Sequence, residues 1–323
     1  MKNLMNRRHV SAVLGSLATG ALLGMPGSET LAQNIPNIPG PDPNPKQPKF
    51  RLPAGTVDTH SHIFGPIDRY PFSSSRTYTA PEAPLAGLQN LQKAVGIDRT
   101  VVVNASIHGL DNRVVTDAIA QSGGRYLGVC NIDNAITDAE LSALDKAGIR
   151  GCRFTFVKRL GGVGDMSAFR RLVDRVAPLG WHVDIYLEQG TVVEFTPILR
   201  ALPVPYVIDH MGTINAGGGL DSAEFKALLA LQKDDKCWMK ITGLERASAS
   251  GPPFHDAVPF AARLVENAPD RVLWGTDWPH PNVKFMPNDG DIVDLVPLYA
   301  PDAAIRQKLL VTNAERLYKF GRY

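Results

Sequence analysis

Residues Val272–Asn282 read VLWGTDWPHPN. Val272-Leu273-Trp274 is a short apolar run suited to a buried strand. Gly275 breaks it, and Asp277 follows where the strand gives way to a Pro-rich loop. In α/β barrels the chemistry sits at the carboxyl ends of the inner strands. A lone Asp there has two plainer roles, capping the next segment or pairing with an arginine. The weight shifts toward chemistry because Asp58-Thr59-His60-Ser61-His62 lies far upstream and the segments between fall into a repeat.

That repeat alternates short β-type runs with amphipathic helical ones. The expected strands are Thr56–Thr59, Thr100–Ala105, Tyr126–Ile132, Gly151–Phe156, His182–Leu187, Tyr206–Asp209, Trp238–Thr242 and Val272–Gly275. Several are rich in Val and Ile without strict alternation, as strands covered on both faces should be. Helical patterns fall at Leu85–Val95, Asn112–Ser122, Asp138–Ala147, Met166–Ala177, Val192–Ala201, Ser222–Lys233 and Asp256–Asn267, with a last pair inside Asp291–Tyr318. Asp138, Thr191 and Asp221 or Ser222 suit helix caps. The alternation predicts an α/β fold, a single-domain (β/α)₈ barrel over residues 54–323. A doubly wound open sheet is the competing fold, but it gives no reason for polar residues at the end of nearly every strand. Gly161-Gly162-Val163-Gly164 and Gly217-Gly218-Gly219 lack phosphate-loop spacing and read as loops.

In a barrel those polar strand ends converge. His60 and His62, two apart at the end of strand 1, share a face by the period of a strand. His-x-His is a weak signal alone and a stronger one here, where metal-dependent hydrolases hold zinc. His210 ends strand 6 and Asp277 ends strand 8. If a metal, Zn or Mn, is bound, His60, His62, His210 and Asp277 are its candidate ligands. Strand 5 carries His182, Asp184 and Tyr186 on one face, with Tyr186 nearest the carboxyl end, placed to donate to a polarised carbonyl or simply to pack. Arg153 lies in strand 4, Arg159 just after it, and Arg246 after strand 7. If all three point inward, the substrate carries more than one carboxylate, which Arg grips bidentately; otherwise they are rim ion pairs. Tyr78 and Ser106 add neutral hydrogen-bonding groups. With no Gly-x-Ser-x-Gly elbow and no Cys-His context, a covalent route has little support. Direct attack by water remains, with Asp277 as base and the His/Tyr cluster polarising the carbonyl.

The rest of the chain frames this site. At 323 residues, 44% hydrophobic and 20% charged, it has the composition of a soluble globular protein. A net charge of +2 gives no reason to expect nucleic acid as a partner. Arg7-Arg8 before the apolar Val10–Met25 resembles a twin-arginine export signal over residues 1–33, which predicts a periplasmic protein with no stable membrane association once the signal is removed. A disordered basic tail and an uncleaved anchor are the alternatives. Residues 34–53, with repeated Pro, are expected to be an extended tether. Cys130, Cys152 and Cys237 are few, widely spaced and set among apolar neighbours, so all three are expected in the core. Oligomeric state is not readable from the sequence.

The segments THSHIFGP, HGLDN, RGCRFTFVKRL, WHVDIY, VIDHMG, WGTDWPHPN and LVTNAERLY, in this order from residue 59 to 318, make the chain resemble the amidohydrolase superfamily, and closely its 2-pyrone-4,6-dicarboxylate lactonase branch. The resemblance implies a barrel that opens a cyclic dicarboxylate lactone without a cofactor or bound metal. It implies that His60, His62, Tyr186 and His210 surround the lactone carbonyl, with Asp277 as base. It implies further that Arg153, Arg159, Arg246, Tyr78, Ser106 and Asn282 hold the carboxylates and the ring, in keeping with a role in aromatic compound degradation. Two features depart from that branch: the export-like amino terminus, and Ser61 where relatives often carry Cys. The competing readings are a metal-dependent hydrolase or decarboxylase of the same superfamily, and a non-catalytic periplasmic binding protein for dicarboxylates.

Overall fold

The Val- and Ile-rich runs form eight parallel strands because helices cover one face of each and the barrel interior covers the other. The computed structural model describes residues 35–162 and 164–321; the expected export signal at 1–33 lies outside the described residues. The strands are β1 (Val57–Ser61), β2 (Arg99–Val103), β3 (Tyr126–Cys130), β4 (Ile149–Thr155), β5 (His182–Tyr186), β6 (Tyr206–Ile208), β7 (Cys237–Ile241) and β8 (Val272–Trp274). They pair in sequence order, each parallel to the next. Every expected strand is present, with ends within two residues.

The helices are α1 (Leu85–Val95), α2 (Arg113–Gln121), α3 (Asp138–Lys146), α4 (Met166–Val176), α5 (Val192–Arg200), α6 (Ala223–Leu231), α7 (Leu244–Ala247), α8 (Val258–Asn267), α9 (Asp289–Asp294), α10 (Val296–Tyr299), α11 (Ala303–Gln307) and α12 (Asn313–Tyr318). The expected last pair is therefore four short segments, with Pro297 and Pro301 breaking the run and a π-turn over Lys308–Thr312. Ser222 caps α6 as expected. At α3 the cap is Thr137 rather than Asp138, because Thr137 and Glu140 form a reciprocal capping box. Thr191 stands at the start of α5, but its hydroxyl donates to the Glu188 carbonyl. Cys130, Cys152 and Cys237 are buried and unpaired. Among the described residues, no helix is long and apolar enough to cross a membrane.

β5 serves as a ruler for the interior. His182, at its amino end, packs edge-on against Tyr318 with ring centroids 4.9 Å apart. Val57, Val101, Val207, Trp238 and Leu273 join Tyr318 and Phe320 in this apolar part of the interior. Asp184, two residues on, meets the buried Lys240 of β7. Tyr186, two further, stands at the carboxyl end against His210. The interior thus changes along one strand from apolar, to ionic, to an aromatic and imidazole contact at the mouth.

Between β8 and β1 the barrel closes through the residues of greatest interest. The amide of Asp277 donates to the His60 carbonyl at 2.8 Å, and that of His62 to the Trp278 carbonyl at 2.7 Å. The Asp58 carboxylate staples the same seam, accepting from the amides of His60 and Thr276 and from the Thr276 hydroxyl. Burial pushes Asp58 up to about 7 against the pull of those donors. β1 is also irregular: its register on β2 shifts between Asp58 and Ser61. That shift lets Val57 and His60, three apart, both face the interior, which strict alternation would forbid.

Residues 35–53 are not a free tether. Ile38 donates to the Thr79 carbonyl, the Lys46 amide to Asn288, the Lys46 ammonium to Asp291, and the Phe50 amide to Asp294. Proline-rich backbone has few internal hydrogen bonds to lose, so it docks by lending its remaining donors to the α9 region. Residues 35–53 belong to the same compact unit as the barrel.

Gly275 is where the seam is tightest. A Cβ there would stand 2.8 Å from Asp58 Oδ1 and 2.8 Å from the His60 nitrogen. Gly275→Ala should therefore destabilise the protein by about 1–3 kcal/mol, read as a lower urea midpoint at unchanged m-value. A midpoint equal to that of the parent would show that the seam yields freely.

Candidate active site

The loops after the strands hold their side chains over the barrel mouth by local backbone choices. His210 opens a tight turn (His210–Thr213), and Arg246 rides on α7 immediately after β7. Asp277, at φ 68, and His210, at φ 50, occupy the left-handed region despite their side chains. Such backbone costs about 1–3 kcal/mol per residue and persists where surrounding structure overrides it. At Asp277 the overriding contacts are the seam hydrogen bond to His60 and the next turn, where the His280 amide donates to the Asp277 carbonyl.

One narrow cavity is lined by His62, Tyr78, Ser106, Arg153, Arg159, Tyr186, His210, Arg246, Asp277 and Asn282. His60 lies directly behind it, fully buried. The structure therefore brings together all the residues that the sequence singled out. A roomier groove of about 660 Å³, lined by residues such as Leu110, Asn131 and Leu144, shares no residue with this cavity.

Asp277 is the centre of the cluster. Its Oδ2 accepts from Arg246 Nε at 2.7 Å and lies 2.5 Å from Nη2. Its Oδ1 has no hydrogen-bond partner and faces His60 Nε2 at 3.6 Å, His62 Nε2 at 3.6 Å and His210 Nε2 at 3.9 Å. Burial acts to raise the Asp277 carboxyl, but the Arg246 guanidinium overrides it and holds it well below the usual carboxylate range. The plain alternative of an Asp paired with an arginine is thus realised on one oxygen, while the other is left open.

The arginines divide into two kinds. Arg153 donates from Nε to Asp209 at 2.8 Å and lies over the Tyr186 ring at 4.9 Å. Arg246 is committed to Asp277. Arg159 is exposed at the cavity mouth and makes no ion pair among the described residues. Of the two readings of the arginines, the ion pair is realised at Arg153 and Arg246, and a ligand would have to share or displace those carboxylates. Burial pushes the Tyr78 hydroxyl up to about 12, so it remains a donor at neutral pH.

Beneath the cavity lies a layer that sequence reasoning missed. Lys240, fully buried, contacts Asp184 Oδ2, Asp209 Oδ1 at 3.2 Å and His60 Nδ1 at 3.1 Å. Lys240 was legible in principle: a lysine inside Cys237–Ile241 has no business in a buried strand unless it is paired. His62 Nδ1 is 2.7 Å from the Val103 carbonyl, and His210 Nδ1 is 2.8 Å from the Thr242 hydroxyl. Burial, followed by Lys240, pushes His60 well below the usual imidazole range, and burial pushes His210 down to about 3. Both rings are neutral at neutral pH.

By spacing, these atoms suit a divalent ion. Ligands about 2.0–2.2 Å from a tetrahedral zinc are roughly 3.3–3.6 Å apart, close to the separations of Asp277 Oδ1 from the three imidazoles. His60, His210 and Asp277 each offer one ligand atom within 4.8 Å of the others. Against that, Arg246 already supplies positive charge to the same carboxylate, and Tyr186 occupies the β5 position.

The family profile described as Amidohydrolase matches residues 57–320. A 2-pyrone-4,6-dicarboxylate hydrolase of Comamonas testosteroni is 47% identical over 285 residues, covering 85% of this chain and 93% of that protein. A 4-sulfomuconolactone hydrolase of Hydrogenophaga intermedia is 39% identical over 295 residues, covering 90% of this chain and 97% of that one. Among solved structures, an apo protein of Agrobacterium tumefaciens superposes with a TM-score of 0.78 at 28% identity, covering 85% of this chain and 100% of that one.

Behind Arg246 lies a second unpredicted cluster. His280 Nε2 is 3.0 Å from Asp289, and its Nδ1 is 3.6 Å from Glu245. Burial works against charge on His280, but Asp289 and Glu245 override it and raise the ring to about 10. A folded pKa above the unfolded value of 6.5 gives stability that is complete below about 6.5 and lost as pH rises through about 10. His280→Gln should lower stability at pH 6 and flatten the decline between pH 6.5 and 10, measured as urea midpoints across that range. An unchanged slope would show that His280 is neutral in the folded protein.

Proposed function

Because the chain belongs to the amidohydrolase family, we propose that it hydrolyses the ring ester of a small lactone carrying two anionic groups, of the 2-pyrone-4,6-dicarboxylate kind. The observation that carries this reading is the open Oδ1 of Asp277, ringed by three imidazole nitrogens under three arginines. Two lactone hydrolases at 47% and 39% identity support the reaction class.

In this mechanism Arg159 receives one anionic group at the mouth, and Arg153 and Arg246 share the other, with Tyr78, Ser106 and Asn282 orienting the ring. The attacking water sits between two acceptors, Asp277 Oδ1 and His62 Nε2. His62 is an acceptor there because its Nδ1 hydrogen is committed to the Val103 carbonyl. His62 thus acts on the water in this reading, while the other members of the His/Tyr cluster face the carbonyl. His60, His210 and Tyr186 polarise that carbonyl. As water attacks, Asp277 takes its proton; the ring C–O bond then breaks, and the ring oxygen leaves as an enolate that recovers the proton. While Arg246 clamps Oδ2, Asp277 is a weak base. An anionic substrate that draws Arg246 toward itself relaxes the clamp and raises the basicity, so binding and activation are linked.

We propose that this chemistry proceeds without a metal, since Arg246 and the imidazoles supply the charge stabilisation and a pyrone ester is already an activated acyl group. A metal-dependent hydrolysis is the second reading, favoured by the donor spacing. His60, His62, His210 and Asp277 would then hold the ion, which supplies an acidified water when bound. We also propose that residues 1–33 direct export to the periplasm.

Purified protein should consume 2-pyrone-4,6-dicarboxylate, followed as loss of ring absorbance, and keep its activity after exhaustive chelation with metal content checked by elemental analysis. Activity that disappears with the metal and returns with zinc or manganese transfers the reaction to the second reading. Asp277→Asn should lose about 10²- to 10⁴-fold in kcat; activity within a few-fold of the parent removes Asp277 as the base. Arg159→Ala should lose roughly ten- to a hundred-fold in kcat/KM on a dianionic lactone, the worth of one charge-assisted hydrogen bond. It should lose far less on a monoanionic one, and equal losses would take Arg159 out of substrate binding.

A further inference from the structure

The geometry points to Lys240 as a positioning residue that fixes which nitrogen of His60 carries the hydrogen, making His60 a donor to the reacting carbonyl and withholding it as a metal ligand. The inference rests on the proposed lactone hydrolysis for its functional meaning, but its physical content stands on the contacts alone.

An alkylammonium has three hydrogens and no lone pair, so every neighbour it touches must accept. Lys240 Nζ, with no solvent access, is bonded to Asp184 Oδ2 and lies 3.2 Å from Asp209 Oδ1 and 3.1 Å from His60 Nδ1. Two carboxylates and one imidazole nitrogen thus match its three hydrogens. His60 Nδ1 therefore accepts, and a neutral imidazole has one N–H to place, which must be on Nε2. That Nε2 has no other partner and points at the open Oδ1 of Asp277 across 3.6 Å, the space where a carbonyl oxygen or water would sit.

His62 is the control built into the same strand end. Its Nδ1 faces a carbonyl oxygen, which can only accept, so the hydrogen is on Nδ1 and Nε2 carries a lone pair. Metal-ligating histidines have this second arrangement, the far nitrogen donating to a carbonyl or carboxylate. Two histidines separated by Ser61 are thus given opposite tautomers by what stands behind them. Asp209 Oδ1 is the one acceptor that could reverse the choice. It lies 3.3 Å from His60 Nδ1, and Lys240 Nζ lies 3.2 Å from the same oxygen and so competes for it. Arg153 holds the other oxygen of Asp209 and keeps the carboxylate in place.

Removing Lys240 alone would strand two buried carboxylates, so the variant that tests the inference is Lys240→Met with Asp184→Asn, which deletes one charge of each sign. The full chain, labelled with ¹⁵N-histidine and stripped of metal, is examined by long-range ¹H–¹⁵N NMR, with His60 assigned from the signals lost in His60→Gln. The parent protein should show His60 protonated on Nε2 and His62 on Nδ1. The double variant should show His60 turned to Nδ1–H facing Asp209. Its zinc affinity, measured by competition with a chromophoric chelator, should rise roughly ten- to a hundred-fold, the usual weight of a ligand's outer partner. Its kcat should fall while KM changes little. Nδ1–H on His60 in the parent overturns the inference whether or not the double variant folds, as does an unaltered tautomer in the variant. An Nε2–H His60 in a parent that fails to hydrolyse the lactone leaves the inference standing and removes the proposed substrate instead.

Discussion

The barrel depends on how its last strand meets its first. Asp58 accepts three hydrogen bonds across that junction, and the amides of His62 and Asp277 complete it. The seam is thus made of the residues adjoining the cluster, or of the cluster itself. Closing the barrel and assembling the site are one event, because neither Asp277 nor the two histidines can reach position while the ends of β1 and β8 are apart. Asp58, fully buried and raised to about 7, holds this junction at the expense of its own hydration, a cost that its three donors offset.

Above the seam, charge is arranged so that each reactive group has a competitor. Arg246 restrains Asp277, Asp209 restrains Arg153, and Lys240 restrains both Asp209 and His60. Of the three site arginines, Arg159 makes no ion pair among the described residues and stands exposed at the mouth. An anion that reached Arg153 or Arg246 would have to share or displace a protein carboxylate, an exchange that could discriminate between ligands.

The strands and most helices were legible in the sequence because burial on both faces leaves an unmistakable Val/Ile pattern at every turn of the repeat. The polar residues that line the cavity, together with His60 behind it, were legible because side chains at strand ends in a closed barrel have one place to go. Three things were not legible. The register shift in β1 depends on Asp58 pairing with Thr276, more than two hundred residues away. The pairing of Arg153 and Arg246 with protein carboxylates depends on Asp209 and Asp277 leaning across the mouth, which strand period does not specify. The ionic layer around Lys240 needs three strands in register at once. Residues 35–53 misled for a related reason: composition reports what proline-rich backbone cannot do for itself, and is silent on what a neighbour does for it.

The docking of that amino-terminal strap sets an order on how the chain is made. Lys46 and Phe50 bind Asn288, Asp291 and Asp294, contacts that cannot exist until nearly the whole chain has emerged from the ribosome. A strap made before the barrel is thus among the last segments to find its place, a high-contact-order closure laid over an otherwise locally wound barrel. Until α9 arrives the strap has no surface to bind, so its seating marks a finished molecule.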